Sequence, residues 1–231
     1  MKIIKSKINL QRASKVWPII ARFSLLFQLL LLSTISFSQK GNSKMNANNS
    51  LNIKALDTAT FAAGCFWCVE AQFKELKGVV NITSGFTGGK VAHPTYKQVC
   101  TGTTGHAEAC NITYDPSIIS YDELLAAFFT VHDPTQLNKQ GNDVGTQYRS
   151  AIFYHNNEQK KLAQYYILKL DAAKAYNNKI VTEVSPFGQF YSAEAYHQDY
   201  YNNNQSQPYC QFVIKPKLDK FREVFKGKLK Q

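Results

Sequence analysis

The 231-residue chain carries 27 Lys and Arg against 16 Asp and Glu, is 44% hydrophobic and has five cysteines. That hydrophobic share excludes a disordered chain, and so few cysteines, odd in number, exclude a dense disulfide framework. The net charge of +11 suggests a nucleic-acid partner at first sight, but six of the basic residues and no acid precede residue 39. Beyond it 21 bases face 16 acids, spread thinly, so no nucleic-acid footprint remains.

Residues 1–38 combine a basic stretch, an apolar run from Phe23 to Phe37 and small residues Ser36 and Ser38 before Gln39. This is the layout of a secretory signal, predicting export, most simply to a periplasm. The run falls short of the ~20 residues of a comfortable membrane span, and an uncleaved N-terminal anchor is the alternative. Residues 39–56 are polar and Asn/Ser-rich and read as a flexible linker. One domain is expected over 57–231.

Within that domain, 58–64 reads as a short strand and "CFWCVEAQFKELKG" as a helix with Val69, Phe73 and Leu76 on one face. "VVNITSGF" and "EACNITYD" read as strands, joined by a Gly/Pro-rich connection. Ser120 and Glu123 open a helix as a capping box. A strand over 148–155, a long helix over 156–178, a strand over 179–185 and helices over 193–203 and 216–227 complete the chain. Alternating strands and helices argue one layered α/β or α+β domain.

The cysteines divide by environment. Cys65 follows Gly64 where a strand turns into a helix, so its sulfur is expected near free N–H groups and the positive helix end, which favour a thiolate. Cys68, three residues on, shares that helix face and is in reach for a disulfide. Cys100 and Cys110 read as buried small hydrophobes. The four together lack the tight spacing of a structural zinc site, and no metal is expected. A thioredoxin-like disulfide exchanger and a zinc-binding module remain the alternatives to a dedicated thiol enzyme. The five histidines show no metal-ligand spacing; His106 and His132 read as loop or capping residues.

"GCFWCVE", "GFTGG", "HPTYKQVCTGTTGHAE", "YDPSIISYDELLAAFFTVHDPTQLNKQGNDVGTQYRSAIFY" and "EAYHQDY" together resemble peptide methionine sulfoxide reductases of the A type, over roughly Thr58 to Lys217. The family most often has glycine at Cys68, so the chain resembles the subset in which this second cysteine resolves. The resemblance implies a single-domain α+β sandwich with a ferredoxin-like core and a mixed sheet, and no cofactor. It implies that Cys65 attacks the sulfoxide sulfur and becomes a sulfenic acid, which Cys68 resolves as a disulfide. Glu108 would be the acid, its pKa raised by burial; Tyr96 and Tyr148 would hydrogen-bond the sulfoxide oxygen, and Asp143 would add a polar group. Phe66 and Trp67 would hold the S-methyl group. Implied partners are oxidised proteins and peptides, or free methionine sulfoxide of the S epimer, and a thioredoxin-like reductant, with the enzyme a monomer. Cys210, in "YCQFVIKPK", reads as a bystander on an ordered strand and turn.

Overall fold

The computed structural model describes residues 55–231. The signal segment and all but the end of the linker therefore lie outside the described residues. Among the described residues there are eight strands: β1 (Asp57–Ala63), β2 (Val79–Thr87), β3 (Ala107–Tyr114), β4 (Lys139–Gln140), β5 (Asp143–Val144), β6 (Ser150–Tyr154), β7 (Glu183–Pro186) and β8 (Phe190–Ser192). The helices are α1 (Phe66–Phe73), α2 (Tyr96–Cys100), α3 (Tyr121–Val131), α4 (Asn157–Ala172), α5 (Tyr200–Asn203) and α6 (Lys215–Val224).

Six strands form one sheet in the order β7-β6-β1-β3-β2-β8, and β4 pairs with β5 as a separate hairpin. Only the β6–β7 pairing in the large sheet is parallel. The inner order β6-β1-β3-β2, with α1 between β1 and β2 and α3 between β3 and β6, is a ferredoxin-like arrangement. The expected α+β sandwich with a mixed sheet is what forms.

Side-chain alternation sorts the two faces. Ala59, Phe61 and Ala63 join the main core with α1, α3, α4 and Phe221 of α6. The opposite face carries Ala62, Ala107, Ala109, Ala151 and Phe153, capped by Phe187 and Phe190. Alanines there leave room for the sheet to curl. The curl is strong, because Pro186 ends β7 on one edge and Phe190 begins β8 on the other. Four residues reach at most about 14 Å. At β2, Gly85 makes room for β8, since a Cβ there would collide with the Tyr191 carbonyl.

Several boundaries differ from the sequence reading. The first helix stops at Phe73 rather than Gly78, and the long helix stops at Ala172. The 179–185 strand begins only at Glu183. The 193–203 segment is a 3-10 turn (Ala195–His197) and the short α5, broken where Asp199 takes φ +52°. The segment 209–217, expected as an ordered strand and turn, instead holds a π-helical turn (Cys210–Ile214) running into α6. Pro216 has no N–H to give the Phe212 carbonyl, and the backbone widens just there.

Candidate active site

The site assembles where β1 gives way to α1. Gly64 has φ +90°, and a Cβ there would come within 2.6 Å of Gln140 Cβ, so only glycine makes this turn. Cys65 is the N-cap of α1, as the sequence implied. β3 lies beside β1, and period 2 puts Glu108 and Cys110 on one face, under the first peptide of the helix. Glu108 Oε2 accepts the Phe66 N–H at 3.1 Å, while Cys110 Sγ lies 3.5 Å from the Phe66 carbonyl.

Glu108 is buried, and desolvation pushes its carboxyl well above the usual range, with the nearby Cys65 adding to the rise. The phenols of Tyr96 and Tyr148 are also pushed up, first by burial and then by Glu108. Tyr148 ends a 3-10 turn (Thr146–Tyr148) fixed by Arg149, whose Nη1 and Nη2 donate to the Thr146 and Gly105 carbonyls at 3.0 and 3.1 Å.

The aromatic pair splits between core and rim. Phe66 is buried, and its ring stacks toward Tyr96 at 6.3 Å. Trp67 is half-buried and lies flat on Tyr200, with centroids 3.6 Å apart and planes 7° from parallel.

Cys65 departs from the low-pKa thiol expected at a helix N-terminus. Burial pushes its thiol well up, and its hydrogen bond to Cys68 adds to this; contacts from Tyr209 and the Trp67 amide only partly oppose it. The foremost helix N–H has gone to Glu108 instead. Cys68 is drawn downward, first by the hydrogen bond from Cys65 and then by Lys217, whose Nζ lies 3.7 Å from its sulfur. One hydrogen bond, donated by Cys65 and accepted by Cys68, therefore raises the first thiol and lowers the second.

Cys100 is corrected from buried to exposed, because α2 is a short surface helix burying only Val99. Cys110 is buried as expected. Cys210 is fully enclosed and packs in one cluster with Cys65, Cys68 and Ile214. His106 acts as a loop anchor, accepting the Gly89 N–H at 3.1 Å.

Tyr209 was not anticipated. Its hydroxyl stands 3.0 Å from Asp143 Oδ2 and within hydrogen-bond reach of Cys65, so its one proton serves either acceptor, and its ring stands edge-on to Trp67 at 5.7 Å. Asp143 is therefore tied to the C-terminal segment as well as to the field of Glu108. Lys217 and His197 were given no role in the sequence reading, although His197 lies inside "EAYHQDY" and Lys217 ends "YCQFVIKPK".

A paired-thiol centre beside a buried carboxyl and two phenols defines a thiol-dependent oxidoreductase. The family model of peptide methionine sulfoxide reductase matches residues 57–229. The chain is 54% identical over 175 residues to peptide methionine sulfoxide reductase MsrA of Saccharolobus solfataricus, covering 76% of this chain and 98% of that protein. It is 52% identical over 174 residues to the MsrA of Thermus thermophilus, covering 75% and 98%. Reduced Mxr1 of Saccharomyces cerevisiae superposes with a TM-score of 0.63 at 36% identity, over 68% of this chain and 90% of that one. Methionine sulfoxide reductase A of Corynebacterium diphtheriae gives 0.59 at 40% identity, over 64% and 75%. The chain belongs to the peptide methionine sulfoxide reductase family. It is a peptide-methionine (S)-S-oxide reductase, acting through thiol chemistry in the repair of oxidised protein.

Proposed function

We propose that Cys65 is the nucleophile, Glu108 the acid and Cys68 the resolving thiol of this reaction. Cys65 gives up its proton to solvent as the substrate docks, and its sulfur attacks the sulfoxide sulfur. Glu108 protonates the departing oxygen, with Tyr96 and Tyr148 polarising it by hydrogen bonds. The substrate S–O bond breaks, methionine leaves as the thioether, and Cys65 is left as a sulfenic acid. Cys68 then attacks the Cys65 sulfur, expelling water and forming the disulfide. Glu108 regains its proton from solvent, and a thioredoxin-like dithiol supplies the two electrons that reopen the disulfide. Phe66 and Trp67 receive the S-methyl group, for which aromatic faces suit sulfur and methyl alike.

The observation that carries this reading is the buried carboxyl of Glu108 bonded to the first amide after Cys65. The pre-reduced enzyme, freed of reductant, is mixed with a peptide bearing both sulfoxide epimers. Wild type and Cys68→Ser should each form at least one methionine per enzyme from the S epimer, whereas Cys65→Ser should form none. Turnover by Cys65→Ser would remove Cys65 from the role.

A relay through Cys210 is the second reading, favoured by its packing against Cys65 and Cys68. The rigid helical setting of Cys210 argues for direct Cys65–Cys68 resolution.

We further propose that residues 1–38 direct export, with 39–56 a linker and the mature enzyme beginning at Gln39. The support is the basic, apolar and small-residue grammar of that segment. N-terminal mass analysis of the exported protein tests it; a mass retaining Met1 in the membrane fraction would instead mean an anchor. Among the described residues no helix is long and apolar enough to cross a membrane.

A further inference from the structure

The "EAYHQDY" segment supplies no reacting group, yet it touches both walls of the site. His197 is fully enclosed, and its Nδ1 receives the Trp67 indole N–H at 3.1 Å. Its ring packs 5.3 Å from Phe66 and 4.3 Å from Tyr96. An indole nitrogen can only donate, so Nδ1 is bare and the imidazole proton sits on Nε2. That Nε2 is buried without a partner among the described residues. Three residues earlier, Glu194 Oε1 accepts the Tyr96 N–H at 2.9 Å, at the start of α2. One turn of chain therefore holds the Trp67 indole with one side chain and the Tyr96 phenol's helix with another.

We propose that His197 is a positioning residue for the reductase reaction: as neutral imidazole it fixes the Trp67 indole that receives the substrate's S-methyl group, and its protonation releases that wall. A proton on Nδ1 would set N–H against N–H and convert the bond into repulsion. The inference rests on the methyl-pocket role proposed above for Trp67. Of the groups facing His197, Glu194 on its own segment favours the charged ring, while burial opposes it more strongly and lowers its pKa. The phenols of Tyr96 and Tyr196 carry no charge in the acid range, and Phe66 and Trp67 on α1 do not titrate. Trp67 sits between its stack on Tyr200, the edge of Tyr209 and this polar bond, so losing the bond removes the polar restraint on its rotation about the stack.

The chain has two tryptophans, Trp17 and Trp67, so the full-length protein carrying Trp17→Phe reports Trp67 by its fluorescence. Emission should titrate between pH 8 and 4 with a midpoint below the ~6.5 of free imidazole. His197→Asn, which can place an amide oxygen where Nδ1 stood and cannot titrate, should abolish that transition and keep KM for peptide methionine sulfoxide near wild type. His197→Phe, which keeps the ring and removes the acceptor, should shift the emission at every pH and raise KM about tenfold, the size of one lost hydrogen bond. Emission indifferent to both pH and His197→Phe would overturn the positioning role, as would a transition that persists in His197→Asn. Emission that moves while KM does not would leave the positioning intact and remove Trp67 from the methyl pocket. Should His197→Phe fail to fold, the titration and the Asn variant decide alone.

Discussion

Glu108 Oε2 holds the backbone N–H of Phe66 at 3.1 Å, taking for the acid the amide that a helix-terminal cysteine would otherwise use. The carboxyl is kept above its usual range by burial, so the folded protein favours its protonated form. An unfolded carboxylate ionises near pH 4.3. As pH rises from there through the raised native value, the folded state loses stability relative to the unfolded one. Glu108→Gln should therefore unfold at higher denaturant than wild type at pH 8, while single-turnover methionine formation falls by about 10²–10⁴-fold. Equal or lower stability of the variant at pH 8 would refute the buried-acid account.

Lys217 places its ammonium 3.7 Å from the Cys68 sulfur. Lys217→Met should leave the first methionine equivalent intact and slow the disulfide step, seen as a longer-lived sulfenic acid trapped by dimedone. Cys210→Ser should turn over with a dithiol reductant at close to the wild-type rate. A Cys210→Ser enzyme that stops after one equivalent would put the relay through Cys210 in place of direct resolution.

Tyr209 contacts both Asp143 and Cys65 through its hydroxyl. Tyr209→Phe keeps the ring edge on Trp67 and deletes those bonds. Because the Tyr209 contact favours the Cys65 thiolate, its loss should slow the first chemical step about tenfold, with KM little changed. Rapid-quench measurement of the first equivalent separates the two parameters.

His132 bridges α3 to the sheet, its Nδ1 2.8 Å from the Phe128 carbonyl and its Nε2 2.7 Å from Ser150 Oγ. Burial lowers its pKa from 6.5 to about 4. The unfolded chain then binds a proton that the native one refuses, so stability falls as pH drops from about 6.5 to about 4, by up to about 3 kcal/mol. Denaturant unfolding of wild type and His132→Gln across this window should show the slope in the first and its loss in the second.

The strand-to-helix switch at Gly64–Cys65 was legible because a glycine, a cysteine and a change of apolar period coincide there. So was α3, from Ser120 and Glu123, whose reciprocal bonds are present. The equivalent box of Thr95 and Gln98 passed unread among glycines and prolines, though it opens α2 in the same way. β8 is three residues long and owes its place to the room at Gly85, which no local pattern announces. The break at Asp199 depends on its N–H reaching Glu70 Oε1 at 2.9 Å, across 129 positions. Tyr209 and Asp143 meet across 66 positions, and the Cys65–Cys68–Lys217 electrostatics span more than twice that. Periodicity reports neighbours along the chain; these arrangements belong to folding across it.

The large sheet ends in strands of four and three residues, one closing on Pro186, and a single short span ties the two borders together. Edges this short leave almost no unpaired backbone onto which another extended chain could zip as an added strand.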